Sequence, residues 1–269
     1  MANKERLDIL LVKRNLIQSR ERAKTTIMAG QVLVDGQKIE KAGTIVKEDA
    51  IIRIIGEKLP YVSRGGLKLE KAIKTFNLSL KDLIVTDVGA STGGFTDCAL
   101  QNGSKKVYSI DVGYGQLAWS LRTDNRVVNL ERTNIKNVTP DTLGEKVDFA
   151  TIDVAFISLT KVLASVKSLL KPAGKIVALI KPQFEAGREN IGKKGVVKDP
   201  QIHISVIKKI IDFCISINIS PLALTYSPIK GPEGNIEYLV LLSLDFNNTA
   251  NILPEDIFNV VTEAHTALN

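Results

Sequence analysis

The segment LIVTDVGASTGGF (83–95) joins a short apolar run to three glycines, at positions 89, 93 and 94. This pattern predicts a buried parallel strand that ends in a tight turn and opens a helix. Gly89 would let a ligand approach the backbone, while Gly93 and Gly94 would clear space at the start of the helix. Backbone N–H groups at such a helix start face a bound anion. The alternative is a glycine-rich turn that only joins a strand to a helix.

The G-x-x-x-G-G spacing of this turn differs from the G-x-G-x-x-G that holds a dinucleotide pyrophosphate. A cofactor with a carboxylate and a ribose but no phosphate fits better, and S-adenosylmethionine is such a molecule. Asp111 lies 24 residues after Asp87, where an acidic side chain can accept hydrogen bonds from both ribose hydroxyls. A strand-end cap in the turn DVGYG is the alternative for Asp111.

Other residues near the turn complete the predicted cofactor site. Asn134 is a candidate for the adenine edge, and Tyr114 and Trp119 are candidates to flank the adenine, although a core role for Trp119 is equally consistent. We expect Phe95 to pack the helix rather than touch the ligand. The candidate cofactor-binding residues are Asp87, Gly89, Ser91, Gly93, Gly94, Phe95, Asp111 and Asn134.

Two lysines and two carboxylates are predicted to meet at one edge of a sheet. Asp153 and Lys181 each end an apolar run, and ligands of open α/β sheets bind beyond the carboxyl ends of the strands. Glu237 begins a reversed strand and therefore lies at the same edge, and Lys68 reaches it if its helix packs across that edge. Buried charges must compensate one another, and this set is formally neutral.

Such a cluster suits activation of a weak nucleophile, for example a ribose hydroxyl. Lys181 is the predicted base, with Lys68 lowering its pKa by like-charge proximity and with Asp153 and Glu237 orienting the lysines and the substrate. The two carboxylates oppose this effect, so a purely positional role for all four residues stays open. A structural salt bridge is the alternative for each residue alone.

The elements that must position these residues alternate helices with short apolar runs. The runs are 83–88, 107–111, 126–130, 147–153, 175–181, 221–226 and 236–244. This alternation predicts a doubly wound, mostly parallel α/β sheet. Only a short, turn-rich loop joins the last two runs, which should therefore pair as an antiparallel hairpin. A seven-stranded, Rossmann-like sheet with an antiparallel last strand is the plan of the class I methyltransferases.

A small α+β unit is predicted to precede this sheet. Residues 5–17 have helical apolar spacing, Ser19 can cap a second helix that ends at Gly30, and Asp35-Gly36 marks a hairpin. The predicted domains are an RNA-binding module at 1–57, a linker at 58–62 and a catalytic domain at 63–269. Four basic side chains are expected on one side of the module: Arg6, Arg20, Arg22 and Lys24.

The charge distribution supports a polyanion contact at the amino-terminal end. The chain has 269 residues and a net charge of +7, and residues 1–80 hold 16 Lys and Arg against 9 Asp and Glu. The remaining residues hold 20 of each kind, so the whole basic surplus lies in the first third. The two cysteines have no metal-type spacing, no metal is predicted, and no signal peptide or membrane span is expected. These features predict a soluble cytoplasmic protein.

The amino-terminal words RLDILLV and SRERAKTTIMAGQVLVDGQ resemble the small RNA-binding module of a small-subunit ribosomal protein, pseudouridine synthases and tyrosyl-tRNA synthetases. Lys68, Asp153, Lys181 and Glu237 match the K-D-K-E tetrad of FtsJ-like ribose 2′-O-methyltransferases. Five further segments are similar to the TlyA, or haemolysin A, family: SRGGLKLEKA, DVGASTGGFTD, DVGYGQLAW, KPQFE and SPIKGPEGNIEY. This resemblance implies S-adenosylmethionine-dependent 2′-O-methylation of ribosomal RNA, with cytidines as the usual targets and ribosomal subunits as partners.

Absent motifs favour the same chemistry. Asp153 is followed by VAF rather than the Pro-Pro-aromatic of amino-group methylation, and neither cysteine follows it on a strand-end loop. His203 and His265 are expected to be surface or packing residues, and the Gly/Lys-rich loop 185–199 either closes over RNA phosphates or is an ordinary loop. The rival functions are a non-catalytic RNA-binding or ribosome-assembly factor and, less favoured by the sequence, a cytolysin.

Overall fold

A computed structural model describes residues 3–17, 19–55, 59–192, 195–245 and 252–268. The chain forms two compact units, Met1–Pro60 and Tyr61–Asn269. The predicted linker, 58–62, begins at Lys58, which lies outside the described residues.

The described part of the first unit contains two helices and five short strands. In chain order these are β1 Lys4–Arg6, α1 Leu7–Lys13, α2 Arg20–Met28, β2 Val32–Val34, β3 Gln37–Ile39, β4 Ile45–Lys47 and β5 Ile52–Ile54. Strand β1 pairs antiparallel with β4, and β2 lies between β3 and β5, antiparallel to both. The two helices and the inward residues of the strands enclose a separate apolar core.

Local signals account for most of this unit. The N–H of Arg22 donates to Ser19 Oγ at 3.3 Å, which confirms the predicted cap. Asp35 and Gly36 have φ values of 49° and 82°, as a two-residue hairpin turn of type I′ requires, so the predicted hairpin is confirmed. The helix predicted over 5–17 is shorter, Leu7–Lys13, because residues 4–6 pair with β4 and because Asn15, with φ of 55°, leaves the helical conformation.

The second unit alternates strands with helices. Its elements are α3 Gly65–Thr75, β6 Ile84–Val88, α4 Gly94–Gln101, β7 Lys106–Ile110, α5 Trp119–Arg122, β8 Val127–Leu130, α6 Pro140–Leu143, β9 Val147–Ile152, α7 Leu163–Leu169, β10 Leu170–Ile180, α8 Pro182–Glu185, α9 Pro200–Ser216, β11 Ser220–Tyr226, β12 Tyr238–Ser243 and α10 Pro254–Leu268. Short 3₁₀ turns lie at Ile135–Asn137, Leu159–Lys161 and Arg188–Asn190.

Seven strands form one sheet in the order β11-β12-β10-β9-β6-β7-β8. Strand β12 is antiparallel to both of its neighbours, and the pairs from β10 to β8 are parallel. The predicted seven-stranded class I methyltransferase plan, with a reversed last strand, is therefore confirmed. The predicted antiparallel pairing of the last two runs is confirmed as well.

Apolar clusters cover both faces of this sheet because its strands are buried on two sides. Along β10, Ala178 and Ile180 belong to the cluster that includes α9 and α10, while Val177 and Leu179 belong to the cluster that includes α3 and α4. Across the ranges described above, no helix combines the length and the apolar character needed to cross a membrane.

Candidate active site

The four predicted catalytic side chains converge at one edge of the sheet. Asp153 follows β9 directly and Lys181 follows β10 directly. Strand β12 runs in the opposite direction, so Glu237, which precedes it, lies at the edge where β9 and β10 end. Lys68 lies in the first turns of α3 and reaches the same edge.

The four side chains form a continuous chain of ion pairs. Lys181 Nζ lies 2.5 Å from Asp153 Oδ1, and Lys68 Nζ lies 3.5 Å from Asp153 Oδ2. Lys68 Nζ also donates to Glu237 Oε2 at 2.7 Å. Asp153 therefore bridges the two lysines through its two oxygens, and Glu237 binds Lys68 from the other side. Two ammonium and two carboxylate groups therefore lie together at this edge of the sheet, as the sequence predicts.

We call Lys68, Asp153, Lys181 and Glu237 the tetrad. The exposure of their side chains differs from one end of the tetrad to the other. The side chain of Glu237 is 1% exposed, that of Lys68 is 9%, that of Lys181 is 11% and that of Asp153 is 18%. The Lys181–Asp153 end is therefore the more accessible end. Glu237 and Lys68 form the buried end of the tetrad.

The charge on Lys68 is well compensated. Burial disfavours its ammonium form, but the attraction of Asp153 and Glu237 outweighs burial and raises the pKa of Lys68 above its ordinary value. Lys68 is therefore a cation held between two anions. The carboxylate of Asp153 lies between the two lysines, which opposes the like-charge effect on Lys181 that the sequence suggested.

The glycine loop after β6 has positive φ at alternate residues. Gly89, Ser91 and Gly93 have φ values of 85°, 48° and 96°, a conformation that favours glycine. A Cβ on Gly89 would lie 2.4 Å from the carbonyl oxygen of Asp153. This close approach to the backbone of Asp153 explains why position 89 needs a glycine. The sequence had suggested that the missing side chain makes room for a ligand.

The next two glycines make room for neighbouring elements. A Cβ on Gly93 would meet Leu121 at 2.3 Å, and one on Gly94 would meet Ser63 Oγ at 2.3 Å and the N of Gly66 at 2.8 Å. Gly94 thus lets α3, which carries Lys68, pack directly on the start of α4. Gly89 and Gly94 therefore link the glycine loop to the segments that carry Asp153 and Lys68.

Asp87 was predicted to bind cofactor, but its side chain faces inward. Its Oδ2 accepts hydrogen bonds from the N and Oγ1 of Thr96, at 2.9 and 2.7 Å, and its Oδ1 accepts from Thr151 Oγ1 at 3.0 Å. Burial raises the pKa of Asp87 to about 6, although these hydrogen bonds lower it. Asp87 holds the start of α4 rather than a ligand. Phe95 is 3% exposed in the core, in agreement with the packing role expected for it.

Asp111 lies directly after β7, beside the glycine loop. Its Oδ2 accepts from the N–H of Ser91 at 2.8 Å and its Oδ1 accepts from the N–H of Gly113 at 2.7 Å. A carboxylate oxygen can accept a second hydrogen bond, so the strand-end cap does not exclude a ribose. Asn134 is exposed, and its Oδ1 accepts from the N–H of Lys136 at 3.0 Å.

Three exposed aromatic side chains lie near the strand ends. Trp119 is 77% exposed, which excludes a core role, and Tyr114 is 68% exposed with Arg132 stacked 4.1 Å from its ring centre. Phe156, three residues after Asp153, is 91% exposed with φ of 63°, and its ring lies 5.1 Å from that of Phe184. Sequence reasoning missed Phe156, although an aromatic residue just beyond a catalytic strand end is a usable signal.

Gln183 is a second residue that sequence reasoning missed. Its Nε2 lies 3.5 Å from Glu237 Oε1, and its Oε1 is buried without a hydrogen-bond partner among the described residues. A buried acceptor without a hydrogen bond lowers the stability of the fold. The motif KPQFE, which begins with Lys181, was the sequence feature that could have pointed to Gln183.

The loop 185–199 is anchored at both ends, and its residues 193 and 194 lie outside the described ranges. Glu185 accepts from Ser158 Oγ at 2.6 Å and from the N–H of Leu159 at 2.7 Å. At the other end, the N–H of Val197 donates to Asn235 Oδ1 at 3.0 Å. Asn235 therefore connects this loop to the residues that precede β12.

His203 is fully buried and connects the same loop to the sheet. Its Nε2 donates to the carbonyl of Val197 at 3.0 Å, and its Nδ1 therefore accepts from the hydroxyl of Tyr238 at 2.7 Å. Burial lowers the pKa of His203 to about 4, which keeps the ring neutral. The expected packing role agrees with this network, in which His265 Nε2 also lies 3.1 Å from His203 Nδ1.

The predicted RNA-binding residues do not share one face. Arg6 and Arg20 both bind the buried carboxylate of Asp8, but the Nη2 of Arg22 donates to the carbonyl of Leu59 at 3.0 Å. Residues two apart on a helix lie on different sides, so Arg22 departs from the prediction of a single basic side. Lys24, one turn beyond Arg20, is half-buried.

Comparison with known proteins follows the division into two units. The family model described as FtsJ-like methyltransferase matches residues 61–244, and the S4 domain model matches residues 5–52. YqxC of Bacillus subtilis is 50% identical over 99% of this chain and 96% of its own length. A Mycobacterium tuberculosis protein named 16S/23S rRNA (cytidine-2′-O)-methyltransferase TlyA is 40% identical over 90% of this chain and 91% of its own. A solved structure from Streptococcus thermophilus is 46% identical, covers 99% of this chain and 98% of that chain, and has a TM-score of 0.79.

Proposed function

Since this chain belongs to the FtsJ-like methyltransferase family and carries an S4 domain before its methyltransferase domain, we propose that it methylates ribose 2′ oxygens of ribosomal RNA, with cytidine as the target. It is a methyltransferase by family, and the tetrad geometry supports the ribose hydroxyl as acceptor. The single observation that carries the proposal is the ion-pair chain from Lys181 through Asp153 and Lys68 to Glu237.

The glycine loop and its neighbours fit S-adenosylmethionine. The glycines at 89, 93 and 94 have the spacing G-x-x-x-G-G, which differs from the G-x-G-x-x-G that holds a dinucleotide pyrophosphate. Asp111 is fixed by two backbone N–H groups and offers a carboxylate to a ribose diol. The proposed holding residues are Ser91 and Gly93 of the loop, together with Asp111 and Asn134. When bound, this cofactor supplies an electrophilic methyl group on a sulfonium.

The tetrad is proposed to prepare the acceptor oxygen. Lys181, at the more accessible end, first releases a proton of its ammonium group to solvent and then takes the proton of the 2′ hydroxyl at Nζ, while one of its N–H groups donates to Asp153. Asp153 orients Lys181, and Lys68 with Glu237 fixes Asp153 from the buried side. If instead Lys181 stays an ammonium and only orients the oxygen, the rate of transfer will not rise with pH as it does for a general base.

The S4 unit is proposed to hold structured RNA. Residues 1–80, which include this unit, carry the basic surplus of the chain, and phosphate contacts supply most of the affinity of such modules. The ring centre of the half-buried Phe184 lies 5.9 Å from Lys181 Nζ, and the exposed Phe156 packs against this ring, so the two rings offer an aromatic surface on which the base of the target nucleotide can stack.

The decisive comparison is wild type against Lys181→Ala. Both proteins are titrated with S-adenosylmethionine and with ribosomal RNA from cells lacking this gene, and transfer of a tritiated methyl group is then followed. We expect unchanged binding of both ligands and a loss of transfer of about 10³-fold, as general-base removal gives. Wild-type rates in Lys181→Ala would refute the role of Lys181, and no transfer by the wild type would leave only an RNA-binding factor.

A further inference from the structure

Asp8, at the start of α1, carries a fully buried carboxylate that two arginines share. Its side chain is 0% exposed. Arg6 donates to it through Nε at 3.0 Å and through Nη2 at 3.1 Å, and Arg20 donates through Nε at 2.9 Å. A buried carboxylate is stable only when its charge and its oxygens are satisfied in this way.

The arginines are not themselves buried by this contact. The side chain of Arg6 is 41% exposed and that of Arg20 is 51% exposed. Each guanidinium has five N–H groups, of which Asp8 takes two from Arg6 and one from Arg20. The other N–H groups of these two side chains donate to no acceptor in the described part of the chain.

Asp8 therefore fixes the direction of both guanidinium planes while leaving donors free. The hydrogen bond with Arg6 holds the pKa of Asp8 at about 2, so the carboxylate stays charged at neutral pH. Long arginine side chains lose much rotamer freedom when they bind a phosphate, and a side chain that is already fixed loses less. A free pair of arginines on α2 and β1 would have no such advantage.

We propose that Asp8 is a positioning residue that holds Arg6 and Arg20 as a preformed clamp for RNA phosphates. The guanidinium edges that Asp8 leaves free match the two oxygens of a phosphodiester. The inference rests on the proposed binding of RNA by this unit and adds how two of its arginines are arranged. The negative charge of Asp8, which by itself repels RNA, is retained because it orders two cations.

The Asp8→Asn variant separates this role from simple electrostatics, because the two predict opposite signs. Removing a carboxylate raises the positive charge of the unit, so electrostatics alone predicts tighter binding of RNA. The clamp predicts about tenfold weaker binding, the loss expected from releasing two ordered side chains. It also predicts a salt dependence of log K that is shallower by about one unit, because one phosphate contact is lost.

Glu21→Gln is the matched control, since Glu21 is an exposed acid on α2 and its removal changes the charge equally. It should bind RNA at least as tightly as wild type. The full chain and ribosomal RNA from cells lacking this gene are used, with circular dichroism to establish folding. Arg20→Lys, at a half-exposed position, is a second variant that keeps the charge and removes the fork, and it should weaken binding about fivefold.

The outcomes are distinguishable. Asp8→Asn binding as tightly as wild type or tighter, in a folded protein, overturns the clamp while leaving RNA binding intact. If Asp8→Asn does not fold, unchanged affinity in Arg20→Lys overturns the clamp instead. Absence of RNA binding by the wild type would overturn the proposed function, not the clamp alone.

Discussion

Gly89 connects the cofactor loop to the tetrad, and Gly89→Ala tests that connection. The new Cβ would lie 2.4 Å from the carbonyl oxygen of Asp153 and 3.2 Å from the Cα of Val154. An ordinary contact begins near 3.4 Å, so the backbone of Asp153 or the loop must move by about 1 Å. Such a shift disturbs the 2.5 Å contact between Asp153 and Lys181.

Two effects of Gly89→Ala can be separated by magnitude. An alanine held at φ of 85° costs about 1–2 kcal/mol of stability by itself. A 1 Å misplacement of a positioned catalytic group costs about 10²-fold in rate. We therefore expect a modest loss of stability and a loss of about 100-fold in kcat for methyl transfer.

Gly144→Ala is the matched control for backbone strain. Gly144 caps α6 with φ of 79°, and its Cβ would meet nothing within 4 Å. Thermal unfolding and single-turnover transfer of a tritiated methyl group are measured for both variants. Gly144→Ala is expected to show only the loss of stability that comes from its positive φ, no larger than that of Gly89→Ala, and wild-type transfer. Wild-type transfer in Gly89→Ala would refute the claim that the loop and Asp153 are mechanically joined.

Two further predictions concern stability. Lys68→Met and Glu237→Gln should each lower the free energy of unfolding by about 3 kcal/mol, because each breaks a buried ion pair. The Lys68→Met/Glu237→Gln double variant should lose less than the sum of the two single losses, and additive losses in denaturant titrations would contradict this. Because burial lowers the pKa of His203 from 6.5 to about 4, the unfolded chain binds more protons between these values. The contribution of His203 to stability should therefore fall by roughly 3 kcal/mol as the pH drops through this window. His203→Gln should lack this component when the two pH–stability curves are subtracted, and parallel curves would contradict it.

The sheet could be predicted from the sequence because each of its strands contains a short apolar run, although β10 begins at Leu170, five residues before the predicted run 175–181. Buried parallel strands need no alternation, so their apolar runs are distinct from those of surface helices. The reversed β12 followed from a connecting loop too short for a crossover. Strand β1 could not be found in this way, because Lys4, Glu5 and Arg6 pair with β4 through backbone alone.

The tetrad could also be predicted, since strand order fixes where strand ends meet. Asp153, Lys181 and Glu237 adjoin three neighbouring strands, and only Lys68 depended on how a helix packs. The directions in which side chains point were predicted less well than the positions of the strand ends. Asp87 is the second-last residue of strand β6, but Thr96 and Thr151 bind its oxygens. A sequence does not show which carboxylates are used inside the fold. The arrangement of Arg6 and Arg20 around Asp8 depends on tertiary contact in the same way.

The central claim is that this tetrad directs a methyl group to a ribose 2′ oxygen. The most direct measurement is mass spectrometry of nucleosides from ribosomal RNA of cells lacking this gene, after incubation with the pure protein and S-adenosylmethionine carrying a labelled methyl group. The account predicts that the label is found in 2′-O-methylcytidine and accumulates about 10³-fold more slowly when Lys181→Ala replaces the wild type. Label on a base atom, or label that accumulates at the wild-type rate with Lys181→Ala, would contradict it.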